Sequence, residues 1–443
     1  MGAFHIDPGV CTVNLTAFLL LSVPGLPLLL ALSALRSRLS WPCHIALLPA
    51  VVLLLVPAVF SIEVPWLLFG VGFGIDGNSR LFLVMSVVLW AVAATLLSAP
   101  AGNPAGNRAT TFFLLTLAGH LGAILATDLV GFFVFSTLMG YGFYALLVDG
   151  GDEIARRAGR VYLVFLVLAD LLLFEALLVA AVTTEDLGFE SVRQAITQSP
   201  SLNLYLSMVV TGFALKAGIW PLHFWLTLAF RSVRPVVALL LAGVPVAIGL
   251  LGMLRWLPLG EISTPELGLI IQGLGWLAMV YAILAGLIQA RLKLLPAYAT
   301  IIFSGLFIIA MGMGLGDATA WARYGNQAHF FIVSLVLVLA LLASATGWLD
   351  GRDQHSAKPA KLVADPKSWF ERWSRIVVRW GGQMGFNTLP RLRAAFQAAE
   401  ESVRQMRTLK RVLDTGECYL QRWALAVTLL LLLGISIVLV GLA

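Results

Sequence analysis

Charge is what this 443-residue sequence has least of: Asp, Glu, Lys and Arg together make up 12%, where soluble domains carry about 25%. Set beside 60% hydrophobic residues, that scarcity excludes a soluble domain. Most of the chain must meet lipid or other apolar helices. Cysteine is nearly absent too. Cys11, Cys43 and Cys418 stand far apart, without the paired spacing of a zinc or iron–sulfur site, and read as small apolar fillers. Phosphate-binding glycine loops and nucleophile elbows are missing, so no catalytic centre and no cofactor are expected in this chain. Met1–Asn14 lacks the basic n-region of a signal peptide, and the first apolar run is expected to stay in the mature protein. The histidines are dispersed, without the i, i+4 spacing of a helical metal pair, and no metal site is expected. The net charge of +6 invites a nucleic-acid partner. In a chain this apolar, however, a basic excess belongs to cytoplasmic loops facing lipid headgroups, and no nucleic acid is expected.

What is present is a series of apolar runs of membrane-spanning length. They lie near 14–35, 44–61, 79–98, 110–127, 129–148, 160–182, 202–230, 234–257, 267–290, 296–314, 328–348 and 419–442. The fold class is therefore all-α integral membrane, with about twelve transmembrane helices. The run at 202–230 is too long for one straight helix and holds Lys216 and Pro221 in its middle, so a broken helix is expected there. Basic residues follow every odd-numbered span: Arg36, Arg108, Arg156, Arg157, Arg160, Arg231, Arg291, Lys293 and Arg352. The other loops carry Glu185, Asp186, Glu190, Glu261, Glu266 and Asp317. This alternation predicts an external N-terminus, cytoplasmic basic loops and an inner-membrane location. Pro366–Leu413 is no span. Trp369, Trp373, Ile376, Val377 and Trp380 fall on one helical face and Arg372, Arg375 and Arg379 on another, an interfacial amphipathic pattern. Gly381, Gly382 and Pro390 divide it. It reads either as a helix lying on acidic headgroups or as a strap along a larger assembly. The organisation read from this is N-terminal helices over 1–100, a transmembrane core over 101–350, a cytoplasmic-side amphipathic lateral region over 351–418 and a terminal anchor over 419–443.

Ionisable groups inside spans are costly and are retained where they pair, face a cavity or carry protons. Lys216, in GFALKAGIWPLHFW, is the clearest case. Burial works against its charge and a nearby carboxylate favours it, the balance a proton carrier needs. Asp170 and Glu175 lie five residues apart in the sixth span and point in different directions; either can pair with Lys216. His120 is central in the fourth span, His223 follows the break and His329 opens the eleventh. Each is a candidate proton relay or a satisfied hydrogen-bonding residue.

Three stretches occur in order: ATDLVGFFVFSTLMGYGFYALL (126–147), FALKAGIWPLHFWLTLAF (213–230) and LIQARLKLLPAYATIIFSG (287–305). They resemble signature stretches of the antiporter-like subunits of respiratory complex I, Mrp antiporters, energy-converting hydrogenases and a two-component inorganic-carbon uptake system. The Lys-x-x-x-x-Pro-Leu-His-x-Trp spacing of Lys216–Trp225 is the specific element. The resemblance implies two inverted repeats of five helices, each with a broken helix, and a hydrated path of buried Lys and Glu. Lys216 would be the broken-helix lysine. Lys293 matches a basic position between two spans near the cytoplasmic surface, and Asp170 an acidic position, here preceded by Ala169. The surface helix and final span resemble the lateral helix of the distal pumping subunit. There are departures. The family's fifth-span glutamate falls at Thr137, with Asp170, Glu175 and His120 as candidates to replace it. The stretch ALLLAGVPVAIG lacks the family's histidine, and the second repeat is expected to be truncated. The function implied is a membrane subunit of a multi-subunit proton- or cation-translocating complex with at most one half-path around Lys216. Its partners would be other membrane subunits, lipid and a soluble or redox subunit. The alternatives are a non-transporting scaffold and the membrane partner of a carbonic-anhydrase-like subunit.

Overall fold

The long apolar runs fold as helices because in lipid each backbone N–H and C=O must find its partner within the segment. The computed structural model describes residues 8–323 apart from 38, 40, 57–58, 68–69, 98–103, 150–152, 233–234 and 290–293; beyond 323 it describes only 325, 328 and 332. The helices are α1 (Pro8–Ala31), α2 (Pro42–Leu55), α3 (Gly77–Leu97), α4 (Pro104–Leu125), α5 (Leu129–Val148), α6 (Glu153–Thr183), α7 (Phe189–Thr197), α8 (Leu202–Ala217), α9 (Phe224–Ser232), α10 (Val236–Trp256), α11 (Pro265–Gln289) and α12 (Leu295–Gly316). Among the described residues, seven helices are long and apolar enough to cross a membrane: α3, α4, α5, α6, α10, α11 and α12. Shorter apolar helices occupy Thr16–Ala31, Pro42–Leu55 and Leu202–Ala217, where the sequence predicts the first, second and seventh spans. The expected spans at 328–348 and 419–442 and the lateral region 351–418 lie outside the described residues.

One element departs from an all-α reading. β1 (Phe60–Val64) pairs antiparallel with β2 (Val71–Ile75), Ile62 opposite Phe73. The second span, expected to run to residue 61, stops at Leu55. Val56 is extended (φ −82°, ψ 113°), the conformation favoured before a proline, here Pro57. β2 is buried throughout and lies against the end of α4, where Phe73 bridges Ala126 and the Thr127 N–H donates to Gly72 O (3.1 Å). Asp128 ties the hairpin to α5. As the N-cap of α5 it accepts from the Gly131 N–H (2.7 Å) and also from the Gly72 N–H (2.7 Å). Burial pushes the Asp128 carboxyl above its usual range, against the pull of those N–H groups.

The predicted helix break is a Schellman turn. Gly218 takes the left-handed conformation (φ 63°, ψ 42°). The Ile219 N–H donates to Ala214 O (2.9 Å) and the Gly218 N–H to Leu215 O (3.2 Å), which satisfies two carbonyls that the end of α8 would otherwise orphan. Trp225 folds back over the turn, within 2.9 Å of where a Gly218 Cβ would stand. The chain resumes as α9, and Lys216 is left in the last turn of α8.

Two helix ends are closed by buried arginines. Arg36 donates to Leu30 O and Ala31 O at the end of α1. Arg255, near the end of α10, donates to Ala123 O (3.0 Å), Ile124 O (2.7 Å) and Ala126 O (2.9 Å) at the end of α4. It also donates to Ser79 Oγ (2.8 Å), and its guanidinium lies over the rings of Phe132 and Phe189. Burial works against ionisation of Asp76, yet the Ser79 N–H (2.6 Å), the Ser79 hydroxyl and the Arg255 charge hold its carboxyl below the usual range.

Candidate functional site

The buried charges meet where α5, α6 and α8 pack. Close approach of α8 to α6 is permitted by Gly212, one turn before Lys216: a Cβ there would stand 2.8 Å from Leu173 Cγ and 3.4 Å from the Ala169 carbonyl. On the other side of α8, Gly249 of α10 lies against the backbone of Ala217. With the helices this close, Lys216 Nζ donates to Asp170 Oδ1 of α6 (2.8 Å) and to Ser136 Oγ of α5 (2.9 Å). The Ser136 hydroxyl in turn donates to Phe133 O (3.1 Å). The Lys216 side chain is fully buried, while Asp170 keeps 10% of its side-chain surface exposed. Asp170 Oδ2 has no hydrogen-bond partner among the described residues. Tyr141 and Tyr162 lie near enough to Asp170 to feel its charge, and the Tyr162 hydroxyl donates to Gly140 O (3.4 Å).

The other candidate residues are placed elsewhere. Glu175 is exposed. Five residues from Asp170 is about 140° around a helix, so when Asp170 turns inward Glu175 faces out, in a stripe with Val167, Leu171, Phe174 and Leu178, all exposed. His120 is buried in α4 beside Trp90 and contacts Ser86 Oγ through Nε2 (2.8 Å). With the Ser86 hydroxyl proton turned to Phe82 O (2.7 Å), the bond to His120 is satisfied by the tautomer protonated on Nε2. His223, just past the break, bonds Tyr281 of α11 through Nε2 (3.1 Å). Neither histidine bonds Lys216. Lys293 and His329 lie outside the described residues. Beside the break lies a cavity lined by apolar side chains, among them Ile219, Leu222, Met253, Ile271 and Met311. Among the described residues no group of three or more His, Cys, Asp or Glu can hold a metal ion.

Sequence reasoning passed over two residues. Ser136 precedes Thr137, the position the resemblance singles out. It is Ser136 that reaches Lys216, while Thr137 Oγ1 is buried without a hydrogen-bond partner among the described residues. Arg255 stands two residues before the end of its expected span, where an arginine reads as an interfacial anchor; its partners lie more than a hundred residues away in sequence.

The arrangement holds a buried cation against a buried carboxylate with a hydroxyl at the third corner.

Comparison with known proteins adds a second line of evidence. Residues 126–352, just over half of the chain, match the family described as NADH:quinone oxidoreductase/Mrp antiporter, transmembrane. The chain is 28% identical over 281 residues to a component of a probable K(+)/H(+) antiporter of Rhizobium meliloti, covering 61% of this chain and 51% of that one. It is 28% identical over 261 residues to NADH-quinone oxidoreductase subunit N of Pelobacter propionicus, covering 57% and 54%. The chain thus spans about half the length of the relatives it matches. Among solved structures, a chain of a membrane-bound sulfane sulfur reductase, an archaeal respiratory membrane complex, shares the fold with a TM-score of 0.64. It is 20% identical, and the match covers 75% of this chain and 71% of that one.

Proposed function

The chain belongs to the NADH:quinone oxidoreductase/Mrp antiporter transmembrane family, and on that premise we propose that it is a membrane subunit of a multi-subunit proton- or cation-translocating complex, with one proton half-path centred on Lys216. The observation that carries the reading is the buried Lys216–Asp170 pair, at 2.8 Å, in the last turn of a broken helix. The negative end of the α8 dipole favours a cation at this position. Neutralising Asp170 by a proton would leave a buried ammonium without its counter-ion, at a cost of about 3–5 kcal/mol. A proton arriving at Asp170 therefore favours release of the Lys216 proton to water on the exit side of the half-path, and transfer of the Asp170 proton to the neutral amine then restores the ion pair. Arrival is assigned to Asp170, whose Oδ2 has no hydrogen-bond partner among the described residues, and storage to Lys216, whose side chain is fully buried. Asp170 thereby takes the part that the family resemblance gives to a glutamate at position 137. The proposed setting is a cytoplasmic membrane, with the Arg156–Arg160 end of α6 inside and about twelve spans in all. The reading is tested by reconstituting the assembled complex in proteoliposomes and following internal pH with a trapped dye. Absence of flux under any driving reaction the complex supports would leave the second reading, a non-transporting scaffold, which Thr137 in place of a glutamate favours.

Glu175 supports the assignment of other membrane subunits as partners. It sits eight residues, about 12 Å, inside the Thr183 end of α6 and is exposed on an apolar stripe. Lipid serves a carboxylate at that depth poorly, so a neighbouring transmembrane helix offering a hydrogen-bond donor is placed over this stripe. Glu175→Leu is expected to lower the yield of co-purifying subunits at least threefold while leaving the melting temperature of the isolated chain unchanged. Wild-type yield of the intact complex would remove the stripe as an interface.

A further inference from the structure

We propose that Ser136 is a positioning residue for proton transfer at Lys216: its hydroxyl accepts from the ammonium and, turned about its C–O bond, donates to the neutral amine. The proposal rests on the proton-carrier reading of Lys216.

A lysine that gives up a proton changes what it needs from its surroundings. The ammonium presents three donors and no acceptor; the neutral amine presents two donors and one lone pair. In water either form is satisfied at once. Here the Ser136 and Lys216 side chains are buried, so a partner must already be in place for each form. In the charged form the geometry is complete on the Ser136 side. Its oxygen accepts from Nζ at 2.9 Å, and its single proton goes to Phe133 O, three residues back on the same helix, at 3.1 Å. When Lys216 is neutral, that proton can swing from Phe133 O to the Nζ lone pair without displacing a heavy atom. Phe133 O loses only an extra bond, because as a mid-helix carbonyl of α5 it lies within reach of its own i+4 N–H.

Among the described residues no other group bonded to Nζ offers both roles. Asp170, facing Lys216 from α6, is an acceptor only while ionised; Tyr162 and Tyr141 lie near Asp170. From α10, Gly249 lies against Ala217 and Gly252 against Phe213 of α8, and neither carries a titratable group. Thr137, the neighbouring hydroxyl, makes no hydrogen bond among the described residues. Ser136 therefore serves both protonation states of Lys216, the ammonium the more strongly because that bond is charge-assisted, so removing its hydroxyl slows proton exchange and also disturbs the balance between the two states.

The test uses the assembled complex in proteoliposomes, with proton flux per complex measured across pH for wild type, Ser136→Ala, Ser136→Thr and Lys216→Ala. Ser136→Ala is expected to assemble normally, to lose flux roughly tenfold, the rate equivalent of about 1.4 kcal/mol, and to shift the pH of half-maximal flux. Ser136→Thr, which restores a hydroxyl, is expected to recover most of the flux and the wild-type pH profile. Wild-type flux and profile in Ser136→Ala overturn the proposal, as does an equal loss in Ala and Thr accompanied by poor assembly, which would make the residue merely structural. If Lys216→Ala abolishes flux while Ser136→Ala leaves it intact, only this proposal fails. If Lys216→Ala retains flux, the proton-carrier reading fails first and the proposal falls with it. As a second readout, the full chain labelled with nitrogen-15 at lysine Nζ can be titrated by solid-state NMR, with Lys216→Arg identifying the signal. Ser136→Ala should move the ammonium-to-amine midpoint and Ser136→Thr should not; an unmoved midpoint in the alanine variant also overturns it.

Discussion

Lys216→Ala is expected to abolish proton flux per assembled complex, the largest effect of any single substitution in this chain. The ammonium is the only cation bonded to Asp170 among the described residues, and alanine offers nothing to carry the proton onward. The substitution also strands Asp170 in a low-dielectric site, which costs about 3–5 kcal/mol when one member of a buried pair is removed. A loss of activity through misassembly must therefore be separated from a loss of chemistry. The double variant Lys216→Ala with Asp170→Asn does this. It removes both charges, so assembly should return towards wild type while flux stays at zero. Lys216→Arg should assemble and still be impaired, because the guanidinium stays protonated and cannot cycle. Asp170→Asn alone should give an intermediate flux. A scaffold predicts the opposite pattern: Lys216→Arg tolerated, and the double variant indistinguishable from wild type in every assay. The deciding quantity is flux normalised to assembled complex. Wild-type flux in the double variant eliminates the half-path.

Arg255→Met is expected to be the most destabilising substitution, for a reason unrelated to transport. The guanidinium accounts for three carbonyls at the end of α4 and for the Ser79 hydroxyl of α3. A helix end leaves its last carbonyls without intrahelical partners, and each one orphaned in an apolar site costs about 1–3 kcal/mol. Methionine fills a similar volume and satisfies none of them. The melting temperature of the purified chain in detergent should fall by about 10 °C. Arg255→Lys should recover only part of this, because one ammonium cannot fork across three carbonyls. A methionine variant melting within about 1 °C of wild type would show that water takes over the guanidinium's bonds.

Most of the helices were legible along the chain; the hairpin was not. Apolar runs and Pro221 at the break act through near neighbours in sequence, so span positions such as 129–148 and 296–314 coincide closely with Leu129–Val148 and Leu295–Gly316. That Lys216 is costly where it stands was equally legible, since burial in a long apolar run is a property of the run. Its partner was not. Asp170 and Glu175 are equivalent by type, and only the rotation of α6 about its axis separates them. That rotation is set by the seating of Ala169 against Gly212, a contact between residues 43 positions apart in sequence. The same holds for Ser136 over Thr137, one position apart on α5 and about 100° apart around it. The hairpin's burial under Thr127 and the clasp of Arg255 on α4 join segments far apart in sequence. Sequence determined which residues could not be left in lipid; packing of α5, α6 and α8 decided which of them meet, because helix periodicity fixes a residue's angle relative to its own helix but not to the neighbours it will face.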